Sequence, residues 1–222
     1  MEALAIIWAP VQTLERAANE RRMLPGLVVV TICAILGLLS ATIAVLGSVT
    51  RARFERSQLD LPPDVIDDFI ATTEVSTIIL SIASPFLWWM VVSLLMQLTT
   101  RFFGGNGPFS VMLAVVGLSF VPLALSSVLT GFTTAAQVAL DPGSATSVAI
   151  GYLGLLLGYA FSLWQVVLVV IGAAFARQIG YGESAGSCAI SCAGCLGSII
   201  VLGIVLAIAI PVILSATGGG AQ

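Results

Sequence analysis

Residues 109–132 read FSVMLAVVGLSFVPLALSSVLTGF, a run without a single charged side chain. A helix needs about 20 predominantly apolar residues to cross a hydrocarbon core roughly 30 Å thick. The run is continuous rather than alternating, which indicates a membrane-spanning helix and not a strand of a membrane barrel. This stretch therefore predicts an all-α membrane protein.

The rest of the chain repeats the pattern. Of 222 residues, 59% are hydrophobic and only 9% are charged, whereas soluble domains carry roughly 25% charged residues. Further apolar runs long enough to span occur at 25–47, 76–98, 148–176 and 190–214. We therefore expect a polytopic protein in which residues 25–215 form a bundle of five transmembrane helices, followed by a short tail at 216–222.

Two polar segments accompany the spans. Residues 1–24 place apolar side chains at helical spacing and bunch charges towards the end, which predicts an amphipathic helix, kinked at or starting after Pro10. It lies either along the membrane interface or docked under the bundle, with Trp8, Pro10, Arg16, Arg21 and Arg22 as its interfacial residues. Residues 48–75 form an extramembrane connection, in which 64–71 predict a separate short helix.

Missing residue types exclude several classes of function. The chain has no histidine, and all eight of its basic residues are arginine. Imidazole ligation of metals or haem, a Ser-His-Asp triad, a P-loop and a pyridoxal Schiff base are therefore unavailable. The net charge of −3 disfavours nucleic-acid binding. We expect a protein that is not an enzyme and has no cofactor and no metal.

The arginines also bear on orientation. With the N-terminus inside, five of them fall on the inner side (Arg16, Arg21, Arg22, Arg101, Arg177) against three outside (Arg51, Arg53, Arg56). The positive-inside rule then favours a cytoplasmic N-terminus, with the C-terminus on the opposite side of the membrane.

The stretch SCAISCAGC, residues 187–195, holds three cysteines with the spacing of a cluster-binding motif. Cys188, Cys192 and Cys195 would share one stripe of a helix, and their neighbours are small residues. Buried cysteine behaves as a small hydrophobe, so the stripe is interpreted as helix packing rather than ligation. Gly151, Gly154 and Gly158 form a similar seam in the fourth span, for use within the bundle or between copies.

One loop points to a family. The sequence RFFGGNGPFS, residues 101–110, leads into a span that carries Pro122. This pattern, with Gly104, Gly105, Gly107 and Phe109, resembles the Yip domain family, the Ypt/Rab-interacting membrane proteins and their prokaryotic relatives. Residues 10–16, with a proline and a Thr-x-x-Arg, and the loop at 180–185 are similar to other parts of the family pattern.

The resemblance implies a five-helix bundle with a cytoplasm-exposed N-terminus and a non-catalytic role in membrane organisation or trafficking. The Asp-Leu-Tyr-Gly-Pro signature of eukaryotic members is missing, so Rab binding is not part of what it implies. In prokaryotic form the protein would lie in a bacterial inner membrane, among lipids and with a protein partner or a second copy.

Three functional hypotheses follow. The first is an adaptor or membrane-organising factor whose inner contact surface comprises residues 1–23 and the loop from Arg101 to Phe109. The second is a transporter, channel or lipid-translocating protein with a groove at Gln97 and Gln165. The third is an accessory subunit of a larger membrane complex, docking through the Gly154 to Gly158 seam and the exposed first connection at residues 48–75.

Overall fold

The computed structural model describes residues 2–46, 63–140 and 144–194. The helices are α1 (Glu2–Trp8), α2 (Pro10–Glu20), α3 (Leu24–Leu46), α4 (Pro63–Phe102), α5 (Phe109–Leu118), α6 (Val121–Ala139) and α7 (Ala145–Arg177). A further helix, α8, starts at residue 181 and is described through residue 194. No strand occurs in these ranges, and the expected all-α membrane bundle is confirmed.

Four stretches of the described chain are long and apolar enough to cross a membrane: Leu24–Leu46, Ile66–Phe102, Phe109–Gln137 and Ala145–Arg177. The fifth expected span, at 190–214, lies outside the described residues beyond position 194. The described ranges thus contain four candidate spans where the sequence predicts five across the whole chain.

The second span belongs to a longer helix than the sequence suggests. α4 runs without interruption from Pro63 to Phe102, so residues 64–71 are its first turns and not a separate helix. No glycine or proline stands between residues 64 and 84 to end it. At 1.5 Å per residue, α4 is about 60 Å long and exceeds the hydrocarbon core by roughly a factor of two.

α5 forms the centre of the bundle. Every residue from Val111 to Leu118 is buried, as expected for a helix that is hydrophobic on all sides. The Cβ positions of Gly26 on α3 and Gly117 on α5 would each lie less than 3 Å from the other helix, 2.7 Å from Ala114 O and 2.6 Å from Gly26 Cα respectively. The missing side chains therefore allow direct contact between the two backbones.

A short break separates α5 from α6 within the third span. The amides of Ser119 and Phe120 bond back to Val115 O and Gly117 O, and Pro122 stands in the first turn of α6. Proline is tolerated there because the first amides of a helix have no partner within it. α6 then runs antiparallel to α7, with Thr133 beside Gly154 and Gln137 beside Gly151.

α8 packs between α4 and α7. Ser184 Oγ donates a hydrogen bond to Val170 O at 2.7 Å, and Ser191 Oγ shares one with Thr99 Oγ1 at 3.1 Å. The start of the last helix is therefore joined by side-chain hydrogen bonds to both neighbours.

The N-terminal segment docks on the bundle, as in one of the two arrangements that its sequence leaves open. Ile6 and Leu14 are fully buried. Leu14 Cδ2 packs against α7 at Gly172, where the missing side chain leaves room for it. The helix breaks at Ala9, and Pro10 begins α2. Since proline lacks an amide proton and fixes φ, it suits this first position.

Candidate functional site

The loop at 103–108 turns the chain from α4 into α5 and is closed by its own backbone. Gly105 N donates to Thr100 O at 3.0 Å, and Gly104 N donates to Arg101 O at 3.1 Å. Gly104 has a φ of 76°, in the left-handed region that glycine adopts without steric cost. The amides of Gly104 and Gly105 are thus bonded back to the last turn of α4, and a tight reversal explains the glycines.

Arg177, the last residue of α7, holds the loop from the side. Its Nε donates to Thr100 Oγ1 at 3.1 Å, while its two terminal nitrogens donate to the carbonyls of Gly107 and Gly105. Asn106 N returns a bond to Arg177 O at 3.1 Å. A planar guanidinium suits this arrangement because it presents several donors in a fixed fork.

The loop glycines are required by this close approach. A Cβ on Gly107 would lie 2.1 Å from Ala176 O, and one on Gly105 would lie 2.9 Å from Thr100 O. Neither contact is possible for a real side chain. Gly105 and Gly107 therefore allow the loop to lie directly against the ends of α4 and α7.

Gln97 gives the loop a further donor, one turn before Thr100. Its Nε2 donates to Gly107 O at 3.3 Å, so this carbonyl accepts from both Gln97 and Arg177. The side chain is only 6% exposed. Gln97 therefore contributes to the packing of α4 against the loop.

The last turn of α4, directly before the loop, carries a cation beside an aromatic group. Arg101 is exposed, and Phe102 is 84% exposed. Phe103 and Phe109 are only partly exposed. Pro122, which the sequence grouped with this loop, is instead fully buried in the first turn of α6.

The N-terminal helices lie at the same end of the bundle as the loop. Leu14 of α2 packs beside Gly172 of α7. Gly172 lies five residues, or about 7.5 Å along the helix axis, from Arg177. Of the interfacial candidates, Trp8 is 88% exposed, Arg16, Arg21 and Arg22 are exposed, and Pro10 is half-buried. Arg101 and Arg177 thus stand at the loop itself, and the three exposed arginines belong to the N-terminal segment docked near it.

The glycines and cysteines that the sequence assigns to helix packing differ in their surroundings. Gly151 and Gly154 face Gln137 and Thr133 of α6, whereas a Cβ on Gly158 would meet no atom of the described residues within 4 Å. Cys188 is buried and Cys192 exposed, and Cys195 lies outside the described residues. No group of three His, Cys, Asp or Glu side chains within 2–46, 63–140 and 144–194 could hold a metal ion.

Sequence reasoning missed Arg177, Thr100 and Gln97 as partners of the loop. Arg177 entered only the count of charges for orientation. A usable signal existed, since Arg177 is the one basic residue after position 101 and directly ends an apolar helix. A lone arginine at such a position needs acceptors, and a glycine-rich turn offers exposed carbonyls.

The family comparison covers nearly the whole chain. The Yip1 domain matches residues 4–215, which includes the N-terminal helices, the clamped loop and all four candidate spans. No curated protein and no solved structure gives a significant match.

Proposed function

Since the chain belongs to the Yip1 domain family, we propose that this integral membrane protein is a non-catalytic adaptor or membrane-organising factor. One observation carries the proposal: the exposed Arg101 and Phe102 end α4 directly before a loop that Arg177 clamps in place. Arginine and aromatic residues are enriched in protein interfaces. A surface already held in its binding conformation loses less entropy when a partner arrives.

The proposed contact surface has two parts, residues 1–23 and the loop from Arg101 to Phe109. Docking of α2 through Leu14 supports treating them as one rigid face. Trp8, exposed beside this face, suits a lipid headgroup region or a partner helix. Partner binding would then use helix faces and interfacial contacts together.

The arrangement of charge supports a cytoplasmic N-terminus and a C-terminus across the membrane. Arg101 and Arg177 stand at the end that carries the loop, and Arg16, Arg21 and Arg22 belong to the docked N-terminal segment. Asp67, Asp68 and Glu74 stand in the N-terminal third of α4. Basic residues near span ends favour the cytoplasmic side of a bacterial inner membrane.

A lipid-handling role remains the second candidate because a specific cavity favours it. A cavity of about 670 Å³ between α3, α4 and α6 is lined by apolar side chains and by hydroxyls including Ser40, Ser84 and Ser127. The groove expected at Gln97 and Gln165 is less supported, because these side chains are 6% and 7% exposed. A subunit role keeps the open face at Gly158 as its docking candidate.

The test is site-directed photo-crosslinking in the native membrane, with the probe at position 102 and a matched probe at Leu156, an exposed residue of α7. The adaptor proposal expects one stoichiometric protein adduct from position 102 that Arg101→Ala weakens, and none from position 156. Equal adducts at both positions, or lipid adducts only, would count against it. Lipid flux in vesicles carrying the purified protein would then favour the second candidate.

A further inference from the structure

We propose that the cavity between the N-terminal helices and the start of the first span binds the phosphate group of an anionic phospholipid. The cavity encloses about 290 Å³, and its polar wall comprises Gln12, Thr13, Arg16, Glu20 and Arg22. Pro25 and Leu118 contribute to its apolar lining. The site does not depend on the adaptor role.

The charge of the wall suits a monoanion. Two guanidinium groups, Arg16 and Arg22, face one carboxylate, Glu20. Arg22 Nε lies 3.8 Å from Glu20 Oε2, and both side chains are solvent-accessible, so this pair is weak. Arg16 forms no ion pair within the described part of the chain. The wall thus retains one net positive charge, carried by Arg16. The paired N–H donors of a guanidinium group match the geometry of phosphate oxygens.

Size and depth indicate a lipid headgroup rather than a whole soluble ligand. A volume of about 290 Å³ stands at the lower end of the range for small-molecule sites. Pro25 is the second residue of α3, so the cavity opens where the first span begins. Lipid phosphates stand just outside the hydrocarbon core, where membrane spans begin, and basic pockets beside spans are suited to anionic headgroups.

The apolar lining distinguishes this site from a patch of surface charge. Leu118 ends the central helix α5, and Ala5 and Ala9 line the cavity from the N-terminal side. A bound phosphate would keep its glycerol and upper acyl carbons against these residues. Burial of Leu14 fixes α2 against the bundle, which keeps the cavity formed before any lipid arrives.

Binding to the full-length protein, delipidated in detergent, tests the proposal by native mass spectrometry. The probes are phosphatidylglycerol and, as zwitterionic reference, phosphatidylcholine. We expect tighter binding of phosphatidylglycerol, weakened about tenfold by Arg16→Gln, in keeping with the loss of one charge-assisted contact. Ala5→Leu, which fills the cavity without changing charge, is expected to weaken it too.

Arg21→Gln is the matched control, since Arg21 is equally exposed but does not line the cavity. If R16Q and R21Q weaken binding equally, or if Ala5→Leu has no effect, the lipid is held by the general positive charge of the segment and not by this cavity, and the proposal is wrong. Equal binding of both lipids would also overturn it. Inorganic phosphate tests whether a free anion occupies the cavity instead of a lipid. If low millimolar phosphate displaces phosphatidylglycerol, the lipid assignment is overturned. Both arginines are exposed, and an unchanged melting temperature verifies folding.

Discussion

Arg177 Nε lies 3.1 Å from Thr100 Oγ1, although 77 residues separate them along the chain. The contact joins the C-terminal ends of α4 and α7 across the glycine loop. It explains how a short, glycine-rich turn keeps one shape: the carbonyls of Gly105 and Gly107, which lie outside both flanking helices, accept hydrogen bonds from a guanidinium supplied by α7.

Replacing this arginine is the first prediction. Arg177→Ala leaves the carbonyls of Gly105 and Gly107 without their charged donor, and an unsatisfied buried acceptor is costly. We expect the free energy of unfolding to fall by about 3 kcal/mol. Arg177→Lys is expected to recover little, because one ammonium group cannot reach three separate acceptors. Thermal unfolding in mild detergent measures both.

Arg101→Ala is the control for the clamp, since it removes an exposed arginine from the same turn. Its stability should stay within about 0.5 kcal/mol of the original chain. Should R177A and R101A melt at the same temperature, the hydrogen bonds of Arg177 would not hold the loop.

A second prediction concerns the backbone approach at the same loop. Gly107→Ala would place a methyl group 2.1 Å from Ala176 O, so the loop must move away and lose the bonds from Arg177 and Gln97. We expect a loss of about 2–4 kcal/mol, at the upper end for single substitutions. Gly182→Ala, with no atom within 4 Å of the new methyl, should leave unfolding unchanged. Equal melting temperatures would disprove the close approach.

The fold class and family were accessible from sequence because they depend on properties that are local along the chain. An uncharged run such as 109–132 predicts a span without knowledge of its neighbours. The glycine pattern at 104–107 is likewise short and continuous, and the Yip1 match over residues 4–215 confirms the resemblance drawn from it.

Contacts between distant segments were not accessible in this way. Gly26 and Gly117 touch, yet neither belongs to a repeated small-residue motif that would mark it, whereas Gly158 belongs to one and meets no neighbour. Leu14 is buried and Val11 is exposed, although both are among the apolar side chains of residues 1–24. The position at which α2 meets α7 decides which of them is buried. Helical periodicity alone cannot supply that position.

The contact between α3 and α5 gives a third prediction. Gly26→Ala would place a methyl group 2.7 Å from Ala114 O, and a backbone carbonyl cannot give way as a flexible side chain can. Overpacking of this kind typically costs about 1–3 kcal/mol. Gly158→Ala adds the same methyl where no atom of residues 2–46, 63–140 or 144–194 lies within 4 Å, and should be neutral or slightly stabilising. Thermal unfolding of the two variants compares them; equal loss would show that helix propensity, not contact, decides.

Two adjacent tryptophans provide a fourth prediction. Trp89 is 5% exposed and its Nε1 donates to Leu113 O at 2.9 Å, whereas Trp88 is 48% exposed. Trp89→Phe removes the hydrogen bond while keeping an aromatic ring, and should lower the free energy of unfolding by about 1 kcal/mol or more. Trp88→Phe should change it by less than about 0.5 kcal/mol. Denaturant titration in detergent distinguishes them, and a larger effect at Trp88 would contradict the packing described.

The docking of the N-terminal helices leads to the last prediction, in which trypsin is the probe because Arg16, Arg21 and Arg22 are its only targets before residue 46. Leu14 is fully buried, while Val11 is 41% exposed. Leu14→Ala should weaken docking by about 2–5 kcal/mol, so that α2 opens more often and cleavage at Arg16 accelerates at least tenfold. Val11→Ala should be cut at the original rate. Equal rates in the two variants would mean that α2 is held by the membrane surface and not by Leu14 against α7.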